Sequence, residues 1–181
     1  MRRAGLELQH PLRGQPIRDN MGKPVRQVTQ TMQAEGRDKP DLRLVVHRRG
    51  APGLRRWPGR VAQLCRLFNA DSFWAQQRDS TSVRRMLKGS DVTVSVWQSG
   101  RLVGFGRATS DGVYRAMLWD VIVAQDLQRL GIGRRIVEAL LRSKALRKVE
   151  QVALMTTYGQ SFYENLGFKV EESQKLMKIC R

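Results

Sequence analysis

Residues 118–143 read LWDVIVAQDLQRLGIGRRIVEALLRS, and residues 161–168 read SFYENLGF. These two stretches decide the fold. An apolar strand runs into a short loop, then into Gln128-Arg129-Leu130-Gly131-Ile132-Gly133, then into an amphipathic helix. Ile132, Ile136 and Leu140, with Val137 and Leu141, form an apolar stripe at helical spacing. A second strand is predicted at 151–157 and a short helix at 161–166, closed by Gly167 as a helix stop.

The glycine segment has a physical reading. A diphosphate needs several backbone N–H groups pointing at it, at a helix N-terminus where the dipole is positive. Glycines at 131 and 133 let the backbone come close to phosphate oxygens. Arg129, Arg134 and Arg135 add positive charge beside it. Taken alone, the hexapeptide also fits a helix that merely begins with glycines. A dinucleotide-binding fingerprint does not fit: its third small position is Ile136, and residues 124–130 separate strand from glycines. A Walker A loop does not fit either, because no Gly-Lys-Ser/Thr follows.

Two further side chains are candidates for chemistry. Tyr163 follows Phe162 shortly after the second strand; a phenol can donate a proton, and it can equally be a buried amphipathic tyrosine. Asp120 is a single acid in an apolar strand, which is unusual. A partly buried carboxylate could act as a general base. It could equally pair with Arg101, Arg107 or Arg115 on neighbouring strands.

The bulk properties bound these readings. At 181 residues, with 41% apolar residues, the chain suits one globular domain. There is no apolar run of membrane-spanning length. Two cysteines, Cys65 and Cys180, without C-x-x-C spacing support neither a disulfide framework nor a metal site. His10 and His47 are the only histidines, so a Ser-His or Cys-His nucleophile system has little material. The formal charge is +17, and residues 1–60 carry +9 of it from 14 basic and 5 acidic residues. Such a balance fits solubility, attraction of a polyanionic cofactor, or nucleic acid; no nucleic-acid-binding motif accompanies it.

All six prolines fall at or before Pro58. Residues 1–40 are polar, basic and without periodicity, and are read as a flexible N-terminal extension. Glu7, Asp19, Glu35 and Asp38 within it count against an organelle transit peptide. From residue 42 the pattern predicts a strand at 42–47, helices at 61–68 and 82–87, and a hairpin of 91–97 with 101–108 turned at Ser99-Gly100. Strands at 114–124, 151–157, 168–170 and 175–180 complete the pattern, with helices at 132–146 and 161–166.

This order, with the motifs Gln/Arg-x-x-Gly-x-Gly at 128–133 and Phe-Tyr-x-x-x-Gly-Phe at 162–168, resembles the GNAT superfamily of acyl-CoA-dependent N-acetyltransferases. Gly104-Phe105-Gly106-Arg107 and Leu118-Trp119-Asp120-Val121 resemble its cyanobacterial and plastid branch, which includes serotonin N-acetyltransferase-like enzymes. The resemblance implies a mixed α/β fold over residues 41–181. Its central sheet would have about seven mostly antiparallel strands flanked by about four helices. The parallel strands at 114–124 and 151–157, fourth and fifth of that sheet, would splay apart. It implies acetyl-CoA as acyl donor, no metal, and acetyl transfer to a primary amine by direct attack. The acceptor would be an arylalkylamine or a protein lysine or N-terminal amine. Gln128, Arg129, Leu130, Gly131, Ile132, Gly133 and Arg134 would hold the coenzyme phosphates. The backbone at Val121 and Val123 would pair with the pantetheine arm, Phe162 would lie beside it, and Tyr163 would be the acid. The family pattern is altered just upstream, where Tyr158-Gly159-Gln160 stands. The expected state is a monomer or homodimer in the cytoplasm, with the plastid stroma as the alternative. A rival reading is a non-catalytic module of this fold whose basic extension contacts RNA or the ribosome.

Overall fold

The computed structural model describes Thr29–Thr31 and residues 41–179. Most of the sequence-predicted extension, residues 1–40, lies outside the described residues, as do Cys180 and Arg181.

The strands are β1 (Thr29–Thr31), β2 (Leu42–Arg48), β3 (Val92–Gln98), β4 (Arg101–Ser110), β5 (Arg115–Val123) and β6 (Gln151–Leu154). The helices are α1 (Pro58–Asp71), α2 (Ser80–Gly89), α3 (Ile132–Leu141) and α4 (Gln160–Glu164). The strands form one sheet in the order β1-β2-β3-β4-β5-β6. Neighbours are antiparallel except β5 and β6, which are parallel. This is the expected mixed sheet with its parallel pair.

Local chemistry explains the elements. The β3–β4 turn places Ser99 at φ 46° and Gly100 at φ 84°; two successive left-handed residues match the twist of a tight hairpin. Asp79 caps α2 by accepting from the N–H groups of Thr81 and Ser82, at 2.8 and 2.9 Å. Asp111 does the same for the turn into β5, accepting from Val113, Tyr114 and Arg115.

The sheet is covered on both faces. Val61, Leu64, Leu67 and Phe68 of α1 are buried, and Phe68 meets Phe105 of β4 edge-on at 5.8 Å. Ile132, Ile136, Val137 and Leu140 of α3 are buried against the opposite face. A Cβ at Gly106 would lie 2.6 Å from Ile136 Cγ2, so that glycine is what lets α3 settle onto β4. Alternation in β3 suggested one buried face, yet Thr93 and Ser95 on the other face are buried too. Ser95 is satisfied there by His47 and Trp97, each at 2.9 Å.

Three expectations are corrected. The segments 168–170 and 175–179 are not strands. Gly167, at φ 90°, ends the α4 turn, and Val170, Leu176, Met177 and Ile179 stay exposed rather than finding a layer to pack on. The helix predicted to residue 146 ends at Leu141; a run of turns follows that still buries Leu146. Thr29–Thr31, inside the predicted extension, pairs with Arg43–Val45 of β2. Six strands therefore stand among the described residues.

Candidate functional site

The site grows from one irregularity. Phe105 pairs with Ile122 and Arg107 with Trp119, so Asp120 and Val121 together face the single Gly106. This is a β-bulge, and it bends β5. Asp120 sits at φ 53°, a left-handed conformation that an Asp tolerates better than most residues. Beyond the bend β5 leaves β6: their pairing runs from Arg115 with Gln151 to Leu118 with Leu154 and stops. The strands diverge there, leaving the distal half of β5 beside an open gap.

That gap is a cleft of about 1080 Å³, at the upper end of ordinary ligand pockets. Val121 and Val123 line it from β5, and Phe162 and Tyr163 line it from α4. The loop before α3 closes one end. Its backbone is left-handed at Arg129 (φ 62°) and at Gly131 (φ 76°), the N-cap of α3. The first-turn N–H groups of α3 have no partner within the helix, so they are available to an anion. A Cβ at Gly131 would have nothing within 4 Å, whereas one at Gly133 would lie 3.3 Å from Phe162 Cζ. Gly131 thus serves conformation, and Gly133 serves the close approach of α3 to α4. Gln128 braces the loop by donating from Nε2 to the Val123 carbonyl at 3.2 Å. Arg134 pairs with Glu138 at 2.9 Å.

Of the residues singled out for the coenzyme, Gln128, Arg129, Gly131, Gly133 and Arg134 converge on the cleft. Ile132 also lines it while remaining part of the core. Leu130 does not join them: its side chain is exposed and outside the cleft wall. Tyr163 is half-buried between Phe162 (4.9 Å) and Phe168 (5.8 Å). Burial pushes its phenol above the ordinary tyrosine value, which keeps it protonated at neutral pH.

Asp120 is 6% exposed at its side chain, and both oxygens are engaged. Oδ2 accepts from Arg107 Nε at 2.6 Å, and Oδ1 from Arg78 Nη1 at 3.0 Å. Arg107 lies over the Trp119 ring at 5.5 Å and Arg78 over Phe68 at 5.0 Å. Of the three arginines weighed as partners, only Arg107 takes this role; Arg101 pairs with Asp126 and Arg115 with Glu150.

Sequence reasoning missed the Arg78 contact, which bridges 42 positions along the chain. It also missed a cluster of Phe73, Trp74 and Tyr158 at the cleft. The available signal was two large aromatics, Phe73-Trp74, in a segment between helices where polar residues are usual. Among the described residues no group of acids, histidines and cysteines could hold a metal ion, and no helix is long and apolar enough to cross a membrane.

Residues 90–170 match the family profile described as "Acetyltransferase (GNAT) domain". The chain is 39% identical over 116 residues to "Uncharacterized N-acetyltransferase ycf52" of Porphyra purpurea, an alignment covering 60% of this chain and 62% of that protein. It is 37% identical over 105 residues to "Serotonin N-acetyltransferase 2, chloroplastic" of Oryza sativa subsp. japonica, covering 52% and 50%. The chain spans about three-fifths of the length of the first relatives it matches, at 62%, 62% and 57%. In fold it is similar to a putative GNAT-family acetyltransferase from Xanthomonas campestris pv. campestris, with TM-score 0.61, 23% identity, and coverage of 74% and 93%. A putative acetyltransferase from Deinococcus radiodurans R1 superposes with TM-score 0.61 at 22% identity, covering 82% and 94%.

Proposed function

We propose, on the premise that residues 90–170 are a GNAT acetyltransferase domain, that this protein transfers an acetyl group from acetyl-CoA to a primary amine. The observation that carries the reading is the junction of two features. A glycine-shaped helix N-terminus meets a cleft opened by the divergence of β5 and β6.

The chain's residues fit the coenzyme. The left-handed loop at 129–131 and the first turn of α3 present N–H groups and arginines to a diphosphate. The pairing edge of β5 beyond Leu118 offers main-chain groups to an amide-bearing arm, by the logic of strand addition. The amine attacks the thioester carbonyl. The C–N bond forms, the C–S bond breaks, and the sulfur leaves as thiolate. A main-chain N–H of β5 polarises the carbonyl. Tyr163 protonates the thiolate, a role its raised proton affinity and half-buried place suit. Both Asp120 oxygens are held by guanidinium groups, which tie β5 to β4 and to the segment before α2. We therefore assign Asp120 to anchoring, and removal of the amine proton to water. No step needs a metal.

The acceptor is an arylalkylamine or a protein amine. The similarity to a rice serotonin N-acetyltransferase supports the former. We place the activity in the cytoplasm or the plastid stroma, the latter supported by relatives titled chloroplastic.

The test is coenzyme binding by calorimetry in the intact chain and in Gly131→Asp, with Gly131→Asn as control. Asn and Asp share tolerance of the left-handed backbone and meet no neighbour here, so the pair isolates the charge. Loss of acetyl-CoA binding in Gly131→Asp, with binding kept in Gly131→Asn, is expected. Equal affinity in Gly131→Asp and the unaltered chain would refute the phosphate site.

A further inference from the structure

We propose that the surface formed by residues 43–60 and α2 binds single-stranded nucleic acid, with Trp57 as the platform for a base and the recess beside His47 as the seat of a phosphate. This surface belongs to the folded domain rather than to residues 1–40, and its recess shares no lining residue with the cleft. The inference does not rest on the acetyltransferase reading.

The sequence is one-sided here. Residues 42–70 hold seven arginines and no Asp or Glu. α2 adds Arg84, Arg85 and Lys88, again without an acid. Folding gathers these cations. Arg84 donates from Nη1 to the Arg55 carbonyl, joining α2 to the turn at Leu54–Arg56. A recess of about 270 Å³ beside His47 then brings Arg48, Arg49, Arg55 and Lys88 together. Among the described residues, Arg49 alone of this group has an ion-pair partner, Asp91 at 2.9 Å. Arg48, Arg56, Arg85 and Lys88 are exposed. Cations gathered with so few carboxylates repel one another, and a chain of phosphates relieves that repulsion.

The same surface carries a mounted ring. Arg60 contacts two indoles, 5.9 Å from the Trp57 ring centre and 5.4 Å from that of Trp97. Trp97 is fixed because its Nε1 donates to Ser95 Oγ at 2.9 Å, and Ser95 is held in turn by His47 Nε2 at 2.9 Å. The Trp57 carbonyl accepts from the N–H groups of Arg60 and Val61 at the start of α1, which fixes its backbone. Its side chain is nevertheless 51% exposed. An aromatic ring held open beside a line of cations is how single-strand binders stack a base while tracking the backbone.

The residue types favour this occupant over other polyanions. Every cation of residues 42–70 and α2 except Lys88 is an arginine. A guanidinium grips a phosphate through two parallel hydrogen bonds and stacks on flat rings. An anionic lipid surface asks for charge together with several apolar anchors, and within residues 42–60 and α2 Trp57 is the single large apolar side chain that is exposed. An acidic peptide would use the charges and leave the ring idle.

The test uses the full chain and fluorescence anisotropy of labelled oligoadenylates of about 12 nucleotides, inside the range of single-strand site sizes. Ribo- and deoxyribo-oligomers are compared, so that their ratio tells RNA from DNA. Heparin and phosphatidylcholine–phosphatidylserine vesicles are the other polyanions. Trp57→Ala should weaken oligoadenylate binding about five- to hundredfold, the size of one stacked base. It should leave heparin affinity unchanged, and Trp57→Phe should recover part of the loss. Arg48→Gln, Arg56→Gln and Lys88→Gln should each flatten the fall of log K with log salt by about 0.7, one phosphate contact. Arg147→Gln, which removes an exposed charge after α3, should not. Failure of both oligomers to bind would overturn the proposal. So would binding that the variants of this surface leave intact, which would place it in residues 1–40. Equal losses in Arg147→Gln would reduce it to diffuse charge, and tighter binding to the vesicles than to either oligomer would make the surface a membrane contact.

Discussion

His47 gives a prediction whose size follows from the structure. It is 8% exposed, pairs through Nε2 with Ser95 Oγ at 2.9 Å, and is covered by the loop at Gly53. Burial first, then the charges of Arg60 and Arg43, lower its pKa from 6.5 to about 4. Above pH 6.5 the ring is neutral in folded and unfolded chains alike, and the fold keeps its full stability. Between 6.5 and about 4 the unfolded chain takes up a proton that the folded chain refuses, so stability falls with pH. Each pH unit of difference is worth about 1.36 kcal/mol. The whole window then costs about 3 kcal/mol, and the part between pH 7.5 and 5.0 about 2 kcal/mol. That is a sizeable share of a typical domain stability of about 5–15 kcal/mol. The assay is urea unfolding at pH 7.5, 6.5, 5.5 and 5.0 in the unaltered chain and in His47→Gln, which keeps a polar partner for Ser95 and cannot titrate. His10 is common to both chains and cancels in the difference. The stability difference should shift by about 2 kcal/mol towards His47→Gln as pH falls from 7.5 to 5.0. A difference that stays flat over that range would refute the buried neutral imidazole.

Three further outcomes concern the site and the domain edge. Tyr163→Phe should lower kcat by about 10²–10⁴-fold with acetyl-CoA affinity kept, read by thiol release and calorimetry; an unchanged kcat would return Tyr163 to a packing role. Asp120→Asn should weaken acceptor binding but leave the shape of the kcat/KM–pH profile intact, because the ties to Arg78 and Arg107 are what it disturbs. A loss confined to low pH, recovering as the free amine fraction rises, would instead mark Asp120 as the base. A chain beginning at Pro40 should fold and turn over a small amine, since β1 contributes only a three-residue edge pairing with β2; circular dichroism and the thiol assay would show whether the domain boundary lies further upstream.

The features legible in the sequence share one property: their signal is local. The turn at Ser99-Gly100, the glycine loop and the stripe of α3 each follow from a few adjacent residues whose backbone preferences and spacing suffice. The Phe-Tyr pair at 162–163 stood out by its resemblance to a family motif. Where two strands were expected after Gly167, apolar spacing misled, because spacing says nothing about whether a neighbouring layer is present to bury those side chains. The bulge at Asp120 left no mark in the strand's apolar run, for it is set by the register of β4 against β5. Only the folded chain could bring Arg78 to Asp120 across 42 positions, or Phe73 to Tyr158 across the cleft mouth. The sequence alone determined the sheet's helical crossover and the glycine-shaped start of α3, since helix starts and turns are written in neighbouring residues. Tertiary structure decided which side chains hold Asp120 and which rings meet at the cleft mouth. Those depend on which distant side chains packing brings within hydrogen-bonding or van der Waals reach, and no local preference encodes that.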